Sequence, residues 1–131
     1  MTRMIDKEFL EELLVQAAEN PRKRVNYDMR TSPEDGSQRM LNALQPGTKV
    51  AVHRHPNSSE NIFALIGRLD VILMEDGIHE KECFHLCPTE GRYGCQVQKG
   101  VWHTVEVIEP SVIYETKDGK YGEDGSENWE G

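Results

Sequence analysis

The chain has 131 residues, a common length for one compact domain, and its 23 acidic and 15 basic residues give a formal net charge of −8. An acidic surface repels phosphate groups, so we expect binding neither to nucleic acid nor to membranes, and the longest apolar run, 62–66, is far too short to span a bilayer. Three cysteines argue against a disulfide framework, and no apolar leader follows Met1, so we expect a soluble, cytoplasmic domain.

The first segment predicts a helix. Asp6 is a suitable N-cap, and apolar residues recur at helical spacing from Phe9 to Ala17. The helix must end at Asn20, because the residue before Pro21 is disfavoured in the helical region. We expect residues 1–21 to form one N-terminal α-helix that packs outside the rest of the domain.

Short strands separated by turn residues follow, which is typical of an all-β sandwich or small barrel. We assign residues 22–117 to this barrel and 118–131 to an acidic, glycine-rich C-terminal tail that Tyr121 and Trp129 could hold in place. The predicted strands are 24–29, 38–44, 49–53, 60–66, 69–74, 82–86, 95–98, 103–108 and 111–115.

Two histidines and a carboxylate are placed to converge on one point. His53 and His55 lie two residues apart, so on a strand both rings project from one face. If residues 56–59 form a hairpin loop, Glu60 lies opposite His55 on that same face. His103, which follows the turn glycine Gly100, is a candidate fourth ligand. Imidazoles with one carboxylate suit a divalent transition metal with an open coordination position.

These residues resemble the cupin superfamily. Residues 47–67 match the first cupin motif, G-x5-H-x-H-x(3,4)-E-x6-G, at every specified position. The second motif is half kept, with Gly100 and His103 in place and Gln98 at its proline position. The resemblance implies an all-β fold, a single cupin jelly-roll barrel, holding one divalent metal ion through His53, His55, Glu60 and His103. It leaves iron, zinc, manganese and nickel open as the metal.

Within the superfamily the chain resembles the WbuC family of cupin-fold metalloproteins. The likeness rests on residues 21–26, 38–40, 100–104 and 115–117 together with the histidine segment. It implies a homodimer, a small-molecule ligand and, through the family's name, an association with surface-polysaccharide gene clusters. It also raises Arg24, Asn26 and Arg39 as substrate-binding residues, although the charges of the basic run 22–24, taken alone, favour a solvated strand edge. We add Tyr114, which could contact a ligand at the barrel mouth.

Cys83, His85 and Cys87 alternate along a predicted strand and could share one face. A structural zinc site is conceivable there, but paired C-x(2–4)-C spacings are absent. We therefore interpret these cysteines, and Cys95, as small buried hydrophobes.

The sequence leaves the biochemical class open. A metalloenzyme acting on a small molecule, through isomerisation at a carbonyl or iron-dependent oxygenation, is the first interpretation. An isomerase also needs a general base, and the sequence nominates no second carboxylate for that role. The alternatives are a metal-dependent binding or sensing module without turnover, and a metal-free sugar epimerase that uses a histidine–carboxylate pair.

Overall fold

The computed structural model describes residues 2–76, 78–119 and 125–130 of the chain. These residues form one α-helix and eight strands, with a short 3-10 helix, Pro88–Glu90, between the fifth and sixth strands. The elements are α1 (Lys7–Glu19), β1 (Arg24–Asp28), β2 (Ser37–Leu44), β3 (His53–Arg54), β4 (Glu60–Met74), β5 (Glu80–Leu86), β6 (Gly94–Val97), β7 (Trp102–Asp118) and β8 (Glu127–Asn128).

The helix begins and ends where the sequence predicts. The Asp6 carboxylate accepts a hydrogen bond of 2.9 Å from the backbone N–H of Phe9, and Asn20 closes the helix in an extended conformation. Its apolar face packs against the outer side of β1, β2 and β7. That contact buries Leu13 and Ala17 against Leu41 and Val112.

The strands form the all-β barrel expected from the sequence. The sheet has the strand order β1-β2-β7-β3-β8, and β4 pairs with β5, β6 and β7. Side chains alternate along each strand, so one set of residues faces the helix and the other faces the barrel interior. The interior cluster comprises Leu44, Ile62, Ala64, Leu69, Val71, Leu86, Val97, Val107 and Ile113.

Two predicted strand breaks are bends within continuous strands. The sequence predicted separate strands at 60–66 and 69–74, and at 103–108 and 111–115, but β4 and β7 each run through the interruption. Gly67 has φ +98°, and a Cβ there would lie 2.2 Å from Ser111 Oγ. The pairing register of β4 with β7 shifts around Gly67, so glycine and the neighbouring Pro110 mark a bulged corner where both strands bend together.

The predicted hairpin between His55 and Glu60 is wrong. The strand predicted at 49–53 is reduced to β3, which pairs with β7 and β8 and not with β4. After His55 the chain turns, and Ser58 Oγ donates a hydrogen bond of 2.7 Å to the carbonyl of Asp118 at the end of β7. The segment is therefore tied to β7 and crosses over to β4 instead of folding back along β3.

The C-terminal segment adds β8 beside β3, with His53 opposite Asn128. Trp129 meets Trp102 edge to face, with ring centroids 5.3 Å apart, whereas Tyr121 lies outside the described residues. The assigned boundaries of helix, barrel and tail stay predictions. In the described part of the chain, no helix has both the length and the apolar character needed to cross a membrane.

Candidate metal centre

Three histidines meet at one end of the barrel interior. His53 on β3 and His103 on β7 are directly paired across the sheet, and His55 follows two residues after His53. Ring centroids are 4.3 Å apart for His53 and His103, 5.0 Å for His53 and His55, and 5.5 Å for His55 and His103. One nitrogen from each ring lies within 4.8 Å of the other two. This triad could hold a metal ion.

Each ring is oriented through its Nδ1 atom. His53 Nδ1 lies 2.8 Å from the carbonyl oxygen of Ala51, and His103 Nδ1 lies 2.9 Å from that of Val101. Because a carbonyl only accepts, both Nδ1 atoms carry the proton, and in the neutral ring the lone pair is on Nε2. His55 Nδ1 lies 2.6 Å from Ser126 Oγ. Such contacts fix the tautomer and rotation that metal ligands require.

Glu60 faces the same nitrogens. Its Oε1 atom lies 3.1 Å from His103 Nε2, and its Oε2 atom lies 3.7 Å from His55 Nε2. Glu60 is 2% exposed and His103 is 1% exposed. A carboxylate and an unprotonated ring nitrogen repel each other unless a proton or a cation lies between them. The donor set therefore fits a divalent cation.

Burial keeps the rings in the form that binds metals. It lowers the pKa of His53, and repulsion from His103 lowers it further. Burial also lowers the pKa of His103. Neutral imidazole, which these shifts favour, is the state that coordinates a transition metal.

A second carboxyl lies beside the histidines. Glu115 on β7 accepts a hydrogen bond from Asn42 Nδ2 on β2. Burial raises the pKa of Glu115 to about 8, and the charge of Glu60 adds to this rise. Sequence reasoning missed Glu115, although inward-facing residues alternate along β7 and lead from His103 to it. Because the sequence predicts a strand break at Pro110, the alternation could not be followed from His103 to Glu115.

The three histidines and two carboxyls stand beside a cavity of about 650 Å³, which His53, Glu60, His103 and Glu115 help to line. Two of the predicted substrate-binding residues, Arg24 and Asn26, also line it. The Arg24 guanidinium is partly buried and forms no ion pair with any described residue. Burial lowers the pKa of Arg24, and repulsion from Arg22 adds to this effect.

The other two predicted substrate-binding residues lie outside this cavity. Arg39 is next to Met40 and Tyr114 is next to Glu115, both of which face the interior, so alternation turns Arg39 and Tyr114 to the opposite side. Arg39 pairs with Asp35. Tyr114 packs in the cluster beneath the helix. The structure therefore brings Arg24 and Asn26 to the site, but not Arg39 or Tyr114.

Ser126 was also missed by sequence reasoning. It belongs to the stretch that was interpreted as a tail, and no local motif marks it as a neighbour of His55. Only the pairing of β8 with β3 brings it to the histidine ring.

Comparison with known proteins identifies a family and a fold. The model of the family described as "Domain of unknown function (DUF6016)" matches residues 5–86. No curated protein matches the sequence.

Solved structures resemble the whole barrel. An oxalate oxidase in complex with the substrate analogue glycolate superposes with a TM-score of 0.64 at 13% identity, covering 83% of this chain and 56% of that one. CapF with the inhibitor 3-isopropenyl-tropolone superposes with a TM-score of 0.67 at 14% identity, covering 81% of this chain and 31% of CapF. TT1209 from Thermus thermophilus superposes with a TM-score of 0.65 at 22% identity, covering 90% of this chain and 98% of TT1209. The chain thus spans about half the length of the oxalate oxidase, and its fold is the cupin jelly roll.

Proposed function

The chain belongs to the DUF6016 family and has the cupin fold, and from this premise we propose that its barrel holds one divalent metal ion and acts on a small, oxygen-rich, anionic molecule. His53, His55, Glu60 and His103 are the proposed ligands. The resemblance to the WbuC family supports a sugar-related molecule such as a sugar acid.

One observation carries the metal assignment. The Nε2 atom of His103 faces Glu60 Oε1 at 3.1 Å, while its Nδ1 atom is committed to a backbone carbonyl. Two electron-rich atoms are thereby held together in a buried site, beside two further imidazoles. A divalent cation would bind all four groups and relieve that repulsion.

Arg24 supports an anionic ligand. Its guanidinium borders the same cavity as the proposed metal ligands and, among the described residues, is attracted by the Glu115 carboxyl without forming a salt bridge to it. A carboxylate of the ligand would form such a salt bridge through charge-assisted hydrogen bonds. The glycolate of the similar oxalate oxidase and the tropolone of CapF both carry neighbouring oxygen atoms, which suit chelation of a metal.

Different residues of the chain would bind the ligand and transfer a proton. Arg24 would bind the anionic end of the ligand. The side-chain amide of Asn26 would donate hydrogen bonds to, or accept them from, the hydroxyl groups of the ligand. Glu115 supplies the second carboxyl that an isomerase needs to exchange a proton with its substrate, and Asn42 fixes its orientation. When bound, the metal would polarise a carbonyl group or activate water.

Elemental analysis of untagged protein tests the metal site. We expect wild-type protein to hold one more equivalent of iron, manganese, nickel or zinc per chain than the Glu60→Gln variant, because the amide removes the anionic ligand. Glu12→Gln, on the exposed side of the helix, is the matched control and should retain the full content. Equal metal content in wild type and Glu60→Gln would contradict the role of Glu60 as a ligand. Wild-type protein that holds no metal even after reconstitution would contradict the metal site and favour the metal-free epimerase.

A ligand screen separates an enzyme from a binding module. Iron- and manganese-loaded protein would be incubated with sugars, sugar acids and 1,2-diketones, and each compound would be analysed afterwards. Conversion that is lost in Glu115→Gln identifies an enzyme. Thermal stabilisation by a compound that is recovered unchanged identifies a binding or sensing module. In both cases Arg24→Gln should weaken the response to acids more than to neutral compounds.

A further inference from the structure

A second group of metal-binding side chains lies on the outer face of the barrel. Asp70 on β4 is paired with His85 on β5, and Cys83 lies two residues before His85 on the same face. Leu69 and Val71 are fully buried in the interior, so Asp70 between them faces outwards. This outer triad, Asp70, Cys83 and His85, is therefore separated from the histidine site by the thickness of the sheet.

The three ligand atoms converge on one point. His85 Nδ1 lies 2.7 Å from Asp70 Oδ1 and 3.8 Å from Cys83 Sγ, and all three atoms lie within 4.8 Å of one another. Ligand atoms around a tetrahedral zinc ion are roughly 3.3–3.8 Å apart, so small side-chain rotations would accommodate one. Two paired strands hold the residues in this arrangement without a metal.

The same geometry argues against a nucleophilic cysteine. In a nucleophile–base–acid triad, the histidine uses one ring nitrogen for the nucleophile and the other for the carboxylate. Here the thiol and the carboxylate both approach Nδ1. Burial and the carboxylates of Asp70 and Glu80 also raise the pKa of the Cys83 thiol, whereas an activated nucleophile needs a lowered one.

The surrounding charges favour a cation. Glu106 on β7 is the cross-strand neighbour of Asp70 on its other side, so carboxylates flank the triad. Arg68 and Arg92, which lie beside the triad, share the carboxylate of Glu90, and Glu109 also attracts Arg68. Two carboxylates thus offset the two guanidinium charges, and Asp70, whose carboxylate contacts the His85 ring, keeps Glu106 as a further acidic neighbour.

We propose that Asp70, Cys83 and His85 form a second metal site that binds zinc or a similar divalent ion. One thiolate, one imidazole and one carboxylate are ligands that zinc accepts, and the exposed side of the cluster leaves room for water or Glu106 as the fourth. The sequence pointed to Cys83, His85 and Cys87 as one set. In the structure Cys87 is buried beside Thr89, and the third member of the group is Asp70.

Cobalt binding to the metal-free full-length chain tests this site. Cobalt replaces zinc readily, and its bond to a thiolate gives a charge-transfer absorption in the near ultraviolet. The proposed barrel ligands include no sulfur, so this absorption reports on the outer triad alone. We expect its final amplitude to correspond to one thiolate-bound cobalt ion per chain in both wild type and Glu60→Gln, with wild type taking up a further cobalt ion in the barrel, and we expect the absorption to be lost in Cys83→Ser. Asp70→Asn should weaken cobalt binding about tenfold or more.

Cys95→Ser is the matched control, because Cys95 is a partly buried thiol on a different strand, and it should keep the full absorption. Cys83 is only partly buried, contrary to its interpretation as a buried hydrophobe, and His85 is exposed, so their substitution should leave the far-ultraviolet circular dichroism unchanged. Absence of the thiolate band at saturating cobalt, or its persistence in Cys83→Ser, would overturn the proposal. Neither result would bear on the barrel site, which the Glu60→Gln metal content reports independently.

Discussion

Contacts at Nδ1 help to orient the three imidazoles, and Ser126 provides the one that comes from the C-terminal segment. Without the Ser126 hydroxyl, His55 loses one of the contacts that orient its ring, so its Nε2 atom spends less time aimed at the site. We expect Ser126→Ala to weaken metal binding about 10- to 100-fold. A competition titration with a chelating dye measures this change. Ser59→Ala, in an exposed loop, is the control, and equal affinity in the two variants would contradict an orienting role for Ser126.

Cys95 shows how burial changes a side chain that is not itself a proposed metal ligand. Burial raises the pKa of its thiol to about 11, and the charge of Glu60 contributes to the rise. The thiol is thus neutral in the folded state, and the stability that this gives is complete below the ordinary thiol pKa of about 8.5 and lost as the pH rises towards about 11. Alkylation of Cys95 at pH 8 should be roughly a hundredfold slower than that of a free thiol. Mass spectrometry of iodoacetamide-treated protein measures the rate, and a plateau near pH 8.5 would contradict the shifted pKa.

At the scale of the elements, the long pair β4 and β7 depends on its bend at Gly67. An alanine there must adopt φ +98° and place its Cβ 2.2–2.6 Å from Ser111 and Pro110. The left-handed conformation costs about 1 kcal/mol and the overpacking about 2 kcal/mol, so Gly67→Ala should lower the free energy of unfolding by about 3 kcal/mol. Gly47 also has a positive φ, but a Cβ there would have no atom within 4 Å. Gly47→Ala should therefore lose only the roughly 1 kcal/mol that the left-handed conformation costs. Urea denaturation compares them, and equal losses would show that close packing at Gly67 has no effect.

Local patterns predicted the elements whose signals are local. The helix has its cap, stripe and proline within one segment, so its limits and its outward position could be inferred. The break expected at Pro110 is different, because a proline ends a strand or bends it according to its partner, and the partner here is Gly67 on β4. The family resemblance raised Arg24 and Arg39 alike, and only the strand register shows that Arg24 lines the cavity while Arg39 and Tyr114 face away from it.

For the whole molecule, the convergence of His53, His55 and Glu60 was predicted through a hairpin that does not exist. The three residues meet because β3 pairs with β7 while the chain crosses to β4. Glu115 was missed because of the strand break expected at Pro110, and Ser126 was missed because it joins the site through the distant strand β8. Of the outer triad, Cys83 and His85 were indicated by the sequence, but Asp70 was not, because it lies on the neighbouring strand. The homodimer stays a prediction, which analytical ultracentrifugation would test.

Metal removal tests how the barrel site couples to the stability of the whole fold. The proposed ligands come from the β3 region, the start of β4 and the start of β7, so a bound ion would cross-link segments that must separate on unfolding. An ion present at a hundred times its dissociation constant adds about 2.7 kcal/mol to the free energy of unfolding. At about 3 °C per kcal/mol for a domain of this size, chelation should lower the melting temperature by about 8 °C. Calorimetry with and without a chelator measures the shift. In Glu60→Gln, chelation should shift the melting temperature much less. Cys83→Ser should keep most of the wild-type shift, because this substitution affects only the outer triad. An equal shift in wild type and Glu60→Gln would mean that the stabilising ion is bound somewhere other than in the barrel.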